Sequence, residues 1–199
     1  HFIIKTKIGN IPNVNLESLE KRISKISMLW NDEFYLELRS KMDEKKSNNI
    51  FNIYKNAFPV SYTNEFRPKS TLNDLNGLEQ AINSNDVIFD LYEEKKDRAE
   101  VFHLKIYNSI EQIELSAIMP ILENFGLNVI SEHTYLVSPN IDDVIKRVWI
   151  HHFRFEVSNI DKPSLAKIEG IFEESIYKSW KEQIENDRLN ILVMKAALS

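Results

Sequence analysis

The chain has 199 residues, 43% of them apolar and 11% aromatic, enough for a packed core in one large domain or two small ones. Its net charge is −5, with lysines and arginines scattered among the acids, so there is no electrostatic footprint for nucleic acid or an anionic membrane. Cysteine is absent, which excludes disulfides, thiolate metal sites and a cysteine nucleophile; no apolar run reaches the ~18 residues of a membrane span and no signal peptide precedes the first predicted strand, so a cytoplasmic location is the expectation.

Alternation and β-branching predict a strand over 2–8, ended by Gly9-Asn10 and Pro12. Leu16, Leu19, Ile23, Ile26, Trp30, Phe34 and Leu38 then recur at steps of three and four, predicting a long helix over 16–42. Lys45-Lys46-Ser47-Asn48-Asn49 interrupts that pattern, and short helices over 50–57 and 59–66 are expected to pack through Phe51, Tyr54, Phe58, Tyr62 and Phe66. Thr71 with Asp74 reads as a capping box for a helix bearing Leu72, Leu75, Leu78 and Ile82. From Asp86 the period changes to two, predicting a hairpin of strands 87–92 and 100–107 across the polar stretch 93–98.

Next comes a helix over 116–125, capped by Ser116, with Ile118, Ile121, Leu122 and Phe125 on one face and Gly126 as a left-handed stop. Strands over 127–137 and 148–157 flank a short polar loop, and Pro163 opens a last helix striped by Leu165, Ile168, Phe172, Ile176, Trp180 and Ile184. The order strand, strand, helix, strand, strand, helix predicts an α+β, ferredoxin-like sandwich: a four-stranded antiparallel sheet with two helices on one face, preceded by a helical connector. The expected divisions are 1–46 as the closing strand and helix of a preceding domain, 47–84 as the connector, 85–185 as the sandwich, and 186–199 as the start of a following helical segment. His1 leads straight into a strand, and the apolar run 191–198 ends without glycine cap or polar tail, so both ends read as cut from a longer chain.

In wording, LSAIMPILENFGLNVISEHTYLV at 115–137 and VWIHHFRFEV at 148–157 resemble the regulatory N-terminal part of the large bacterial NAD-specific glutamate dehydrogenases. NAFPVSYTNEFRPKSTLNDLNGLE at 56–79 resembles that family's helical connector, and IFEESIYKSWKEQIENDRLNILVMKAALS at 171–199 resembles the helical segment leading out of its third ACT-like domain. The match runs from residue 24 to the end and is most specific at 119–126 and 180–192. The resemblance implies an ACT-like domain over 85–185 within a noncatalytic regulatory and assembly segment. It implies a parent enzyme that uses NAD to deaminate L-glutamate oxidatively to 2-oxoglutarate and ammonia. The partners implied are the rest of the parent chain, further copies in a homo-oligomer and an amino-acid effector. The alternative is a stand-alone amino-acid-sensing ACT-like module acting on a separate partner.

Few residues point to chemistry of their own. Gly9, Gly77, Gly126 and Gly170 are too widely spaced for a dinucleotide fingerprint or phosphate loop, and no lysine sits in a glycine-rich context, so no catalytic or cofactor-binding residue is assigned. His151 and His152 are adjacent strand residues that face opposite ways and cannot share one ion; one is expected to face the helices and the other solvent or a partner. His103 and His133 fall on strands expected to be neighbours, and no metal ligands are assigned. Glu173-Glu174 and Asp142-Asp143 read as solvated surface, and Trp149, Phe153 and Phe155 as core rather than a stacking platform for bases. ACT domains that bind effectors use the loop between first strand and first helix. Here that loop, NSIEQIEL at 108–115, lacks glycine, but the helix start still offers amides to a carboxylate, making Asn108, Ser109 and Ser116 the candidate effector-binding residues.

Overall fold

A computed structural model describes residues 29–96, 99–157 and 165–192. The predicted strand at 2–8, residues 16–28 of the helix predicted over 16–42, Pro163 and the run 193–198 lie outside the described residues. The first described helix, α1 (Trp30–Lys41), begins at Trp30 after an extended Leu29, so residues 29 and 30 mark a start inside the span expected to be continuous. Lys45 to Asn49, expected to break helical structure, instead lie within α2 (Glu44–Tyr54). The cause is Asp43, whose side chain accepts from Lys46 N–H and caps the helix two residues before the polar run. After α3 (Val60–Glu65), α4 (Pro68–Ser84) opens with proline in its first turn and closes on Asn85 in the left-handed region. Thr71 and Asp74 are therefore inside α4 and form no capping box.

The hairpin partners are β1 (Ile88–Lys96) and β2 (Ala99–Asn108), followed by α5 (Leu115–Asn124), β3 (Leu127–Val137), β4 (Asn140–Ile141), β5 (Val144–Ile145), β6 (Val148–Val157) and α6 (Leu165–Trp180). The polar loop between the long strands is a small β4/β5 hairpin turning at Asp142 and Asp143, both at positive φ. The main sheet is antiparallel in the order β1-β2-β6-β3. Helices α5 and α6 cover one face over Phe89, Leu91, Leu104, Phe153 and Phe155, with Phe125 and Phe172 buried in edge-to-face contact at 5.5 Å. The opposite face is covered by the chain's own upstream helices, which bury Tyr107, Tyr135, Val137, Val148 and Ile150. Sheet and connector thus form three layers with two cores.

Two local departures shape this arrangement. Ser116 does not cap α5: Glu114 occupies that position without a side-chain cap, and Ser116 lies in the first turn, bonded to Glu114 Oε2 at 3.3 Å. Gly126 does stop the helix at φ +80, and a Cβ there would meet Ile191 Cδ1 at 2.8 Å. The two most specific stretches of sequence, 119–126 and 180–192, consequently touch. Asn124 Nδ2 donates to Asn186 Oδ1 at 3.0 Å, and Asp187 caps the short 3-10 turn Arg188–Asn190 beside it. Helix α6 ends at Trp180, with Glu182 at φ 56 reversing the chain, so Ile184 lies on the surface instead of continuing the stripe.

Candidate functional site

Between connector and sheet lies a cleft of about 1190 Å³, lined among others by Glu65, Phe66, Arg67, His103, His133, His152 and Arg154. Adjoining it through Phe66 is a buried ionic network. Lys105 of β2 points into the connector and places Nζ 2.6 and 2.7 Å from the two carboxylate oxygens of Asp74 on α4. Both side chains are almost fully buried, so their charges are affordable only as a pair. Tyr107 O–H donates to Asp74 Oδ1 at 2.8 Å, and Tyr62 O–H makes a short hydrogen bond to Oδ2. Burial first, and then the Asp74 charge, hold both phenols well above their ordinary pKa, which keeps them as donors. Phe66 adds a cation-π face 4.0 Å from Lys105 Nζ. Asp74, which reads from sequence as a helix cap, is the anchor joining connector to sheet.

Beside this anchor the histidines divide between the faces. His151 faces α5 and α6: its Nε2 accepts from Ile113 N–H at 3.1 Å, while Nδ1 lies 3.1 Å from Glu132 Oε1 and from Thr134 Oγ1. It pins the loop after β2 to the sheet, and burial pulls its pKa below the ordinary histidine value. His152 faces the connector and is buried, so neither histidine faces solvent. Tyr92, His103 and His152 stack, with His103 Nδ1 2.9 Å from His152 Nε2. Burial, reinforced by Lys105 and His103, pushes His152 down to about 3. His103 and His133 lie on strands that both flank β6 and not each other.

A β-bulge decides which histidines meet. Val129 pairs with Phe155 but Ser131 pairs with Arg154, so Ile130 is an extra residue and everything after it changes face. His133 is therefore opposite His152 and on its side of the sheet; without the bulge it would oppose His151 on the other. Glu65, the last residue of α3, reaches both: its Oε2 is 3.4 Å from His133 Nδ1 and its Oε1 is 3.4 Å from His152 Nδ1.

The sequence candidates are placed differently. Asn108 Oδ1 accepts from Ile110 N–H at 3.1 Å, Ser109 Oγ donates to Ala81 O at 2.7 Å, and Ser116 is turned to Glu114. Each makes a local contact within the fold. Nor do the glycines suit a dinucleotide: Gly77 is filled by the Tyr107 ring and Gly126 by Ile191. Glu173 is half-buried and accepts from Leu91 N–H at 2.9 Å on edge strand β1, so it is not solvated surface; Glu174 is. Glu65 carried no signal in the sequence, because a lone acid at a helix end looks like any surface carboxylate.

A four-stranded antiparallel sheet with two helices on one face, preceded by a helical region, defines an ACT-like α+β domain. Residues 86–168 match the profile of the glutamate dehydrogenase ACT3 domain, and residues 37–81 match glutamate dehydrogenase helical motif 2. Both profiles are segments of glutamate dehydrogenases, and together with the relatives that follow they support the chain as a fragment of such an enzyme. It is 26% identical over 197 residues to the NAD-specific glutamate dehydrogenase of Halomonas elongata and 24% identical over 197 residues to that of Pseudomonas aeruginosa. In both cases 99% of this chain aligns with 12% of the relative's length. Among the described residues, no helix is long and apolar enough to cross a membrane.

Proposed function

We propose that this chain is a noncatalytic regulatory and assembly segment of an NAD-specific glutamate dehydrogenase, whose distant catalytic part converts L-glutamate, NAD and water to 2-oxoglutarate, ammonia and NADH in the cytoplasm. NAD belongs to that part. The observation carrying the reading is the buried Asp74 and Lys105 pair, which fuses the region matching helical motif 2 to the ACT-like sheet. A buried ion pair of this kind contributes little net stability compared with apolar packing, but it fixes one arrangement of two layers. That suits a segment whose task is to hold or transmit geometry. The segment acts on the rest of its own chain and on further copies in a homo-oligomer. A stand-alone sensing module is the weaker reading, since the chain aligns almost end to end with long enzymes. An amino-acid effector of this segment has a roomy, partly polar site in the connector cleft rather than at Asn108, Ser109 and Ser116.

Two measurements test the proposal. The purified chain should show no glutamate-dependent reduction of NAD, and turnover by rigorously pure material would refute it. Full-length enzyme carrying Asp74→Asn with Lys105→Met should change its oligomeric state, activity or effector response; a variant identical to wild type in all three would remove the assembly role.

A further inference from the structure

Glu65, His133 and His152 each offer one ligand atom, and these atoms lie within 4.8 Å of one another. Around a tetrahedral zinc with bonds of about 2.0–2.1 Å, neighbouring ligand atoms stand about 3.3–3.4 Å apart. Each imidazole already has that spacing from one oxygen of the Glu65 carboxylate, His133 Nδ1 lying 3.4 Å from Oε2 and His152 Nδ1 3.4 Å from Oε1. We propose that Glu65, His133 and His152 form a binding site for a divalent transition-metal cation of the zinc type, which clamps the end of α3 to strands β3 and β6.

The surroundings support a site built for an ion. His152 Nδ1 is buried, makes no hydrogen bond, and is aimed at Glu65 across the space an ion would fill. An imidazole nitrogen left dry and unpartnered costs stability unless something binds it. The other groups are held from behind, as metal ligands are: His152 Nε2 meets His103 Nδ1 at 2.9 Å and Tyr92 O–H at 3.2 Å, and Tyr135 O–H donates to Glu65 Oε2. Two imidazoles with one carboxylate select zinc-like ions over magnesium or calcium, which prefer oxygen throughout. Lys105, the nearest buried cation, is compensated by Asp74 and does not repel an incoming ion with a full charge. The His133 side chain is 53% exposed, which provides an entry path and leaves a fourth position for water. Glu65 comes from the connector and both histidines from the sheet, so loading would tighten the contact between the two layers.

The test uses the purified chain after chelator treatment, titrated with zinc by calorimetry and with cobalt by visible absorption. One ion per chain is expected, with the intense ligand-field bands of tetrahedral cobalt and an unfolding midpoint that rises with zinc. Both His133→Ala and Glu65→Gln should weaken zinc binding at least about tenfold, since losing even a supporting partner costs that much. Because His133 is half exposed, its variant should remain folded by circular dichroism and decides the matter alone if Glu65→Gln does not. Absence of saturable zinc binding by the folded chain, or affinity unchanged in His133→Ala, would overturn the proposal and leave Glu65 as a plain ion-pair partner of the histidines.

Discussion

Truncating one member of the Asp74 and Lys105 pair should be worse than replacing both. Asp74→Asn or Lys105→Met alone strands a buried charge, and each should lower stability by about 3–5 kcal/mol. The double variant should cost clearly less than the sum, as read from urea midpoints; additive losses would mean the two charges do not interact. Glu173 supplies a pH dependence of known sign. Burial pushes its carboxyl up from 4.5 to about 7, against the opposing hydrogen bond from Leu91 N–H. Between those values the folded chain keeps a proton that the unfolded chain has released, so stability falls as pH rises through that window. Glu173→Gln keeps an acceptor for Leu91 and should be more stable than wild type by about 1 kcal/mol at about pH 8, and indistinguishable at about pH 4. Equal midpoints at both would show that the carboxylate is well solvated.

At the scale of elements, α5 and α6 are joined to the sheet by Phe125 and Phe172, both fully buried. Phe125→Ala or Phe172→Ala should each cost about 3–5 kcal/mol in denaturant unfolding. Near-normal midpoints would contradict their burial. Glycines set how closely elements approach. An exposed helical Gly→Ala change usually gains about 1 kcal/mol, but at Gly77 the new methyl would overlap the buried Tyr107 ring. Gly77→Ala should therefore destabilise by about 1–3 kcal/mol, with the near-UV tyrosine signal altered as the ring is displaced. A stabilised variant would show that α4 has room to move away from β2.

For the molecule as a whole, the second face of the sheet is the vulnerable surface. Removing the connector would uncover Tyr107, Tyr135, Val137, Val148 and Ile150, a contiguous apolar area on a sheet that already has its other face covered. A chain beginning at residue 85 should bind far more of a hydrophobic dye than the whole chain, and should self-associate in sedimentation. If it stays monomeric and dye-free, the connector is an independent neighbour and not the second half of the fold.

The sequence by itself determined the class of fold and much of the element order. Hydrophobic period is a local property, so the hairpin, the helix ending at Gly126 and the buried Phe125 and Phe172 could be read directly. The wording at 119–126 and 180–192 likewise carried the family, and the structure shows those stretches packed together through Asn124, Asn186, Gly126 and Ile191. Only the tertiary structure decided the rest. Asp74 has a capping residue's spacing, yet it acquired its role from a lysine 31 positions away. One bulged residue, Ile130, decided whether His133 would meet His151 or His152, because a shift of one in a period of two exchanges the faces of everything beyond it. Glu65 joined them from another layer, and no spacing along the chain encodes which distant side chains a packed interface will bring within reach.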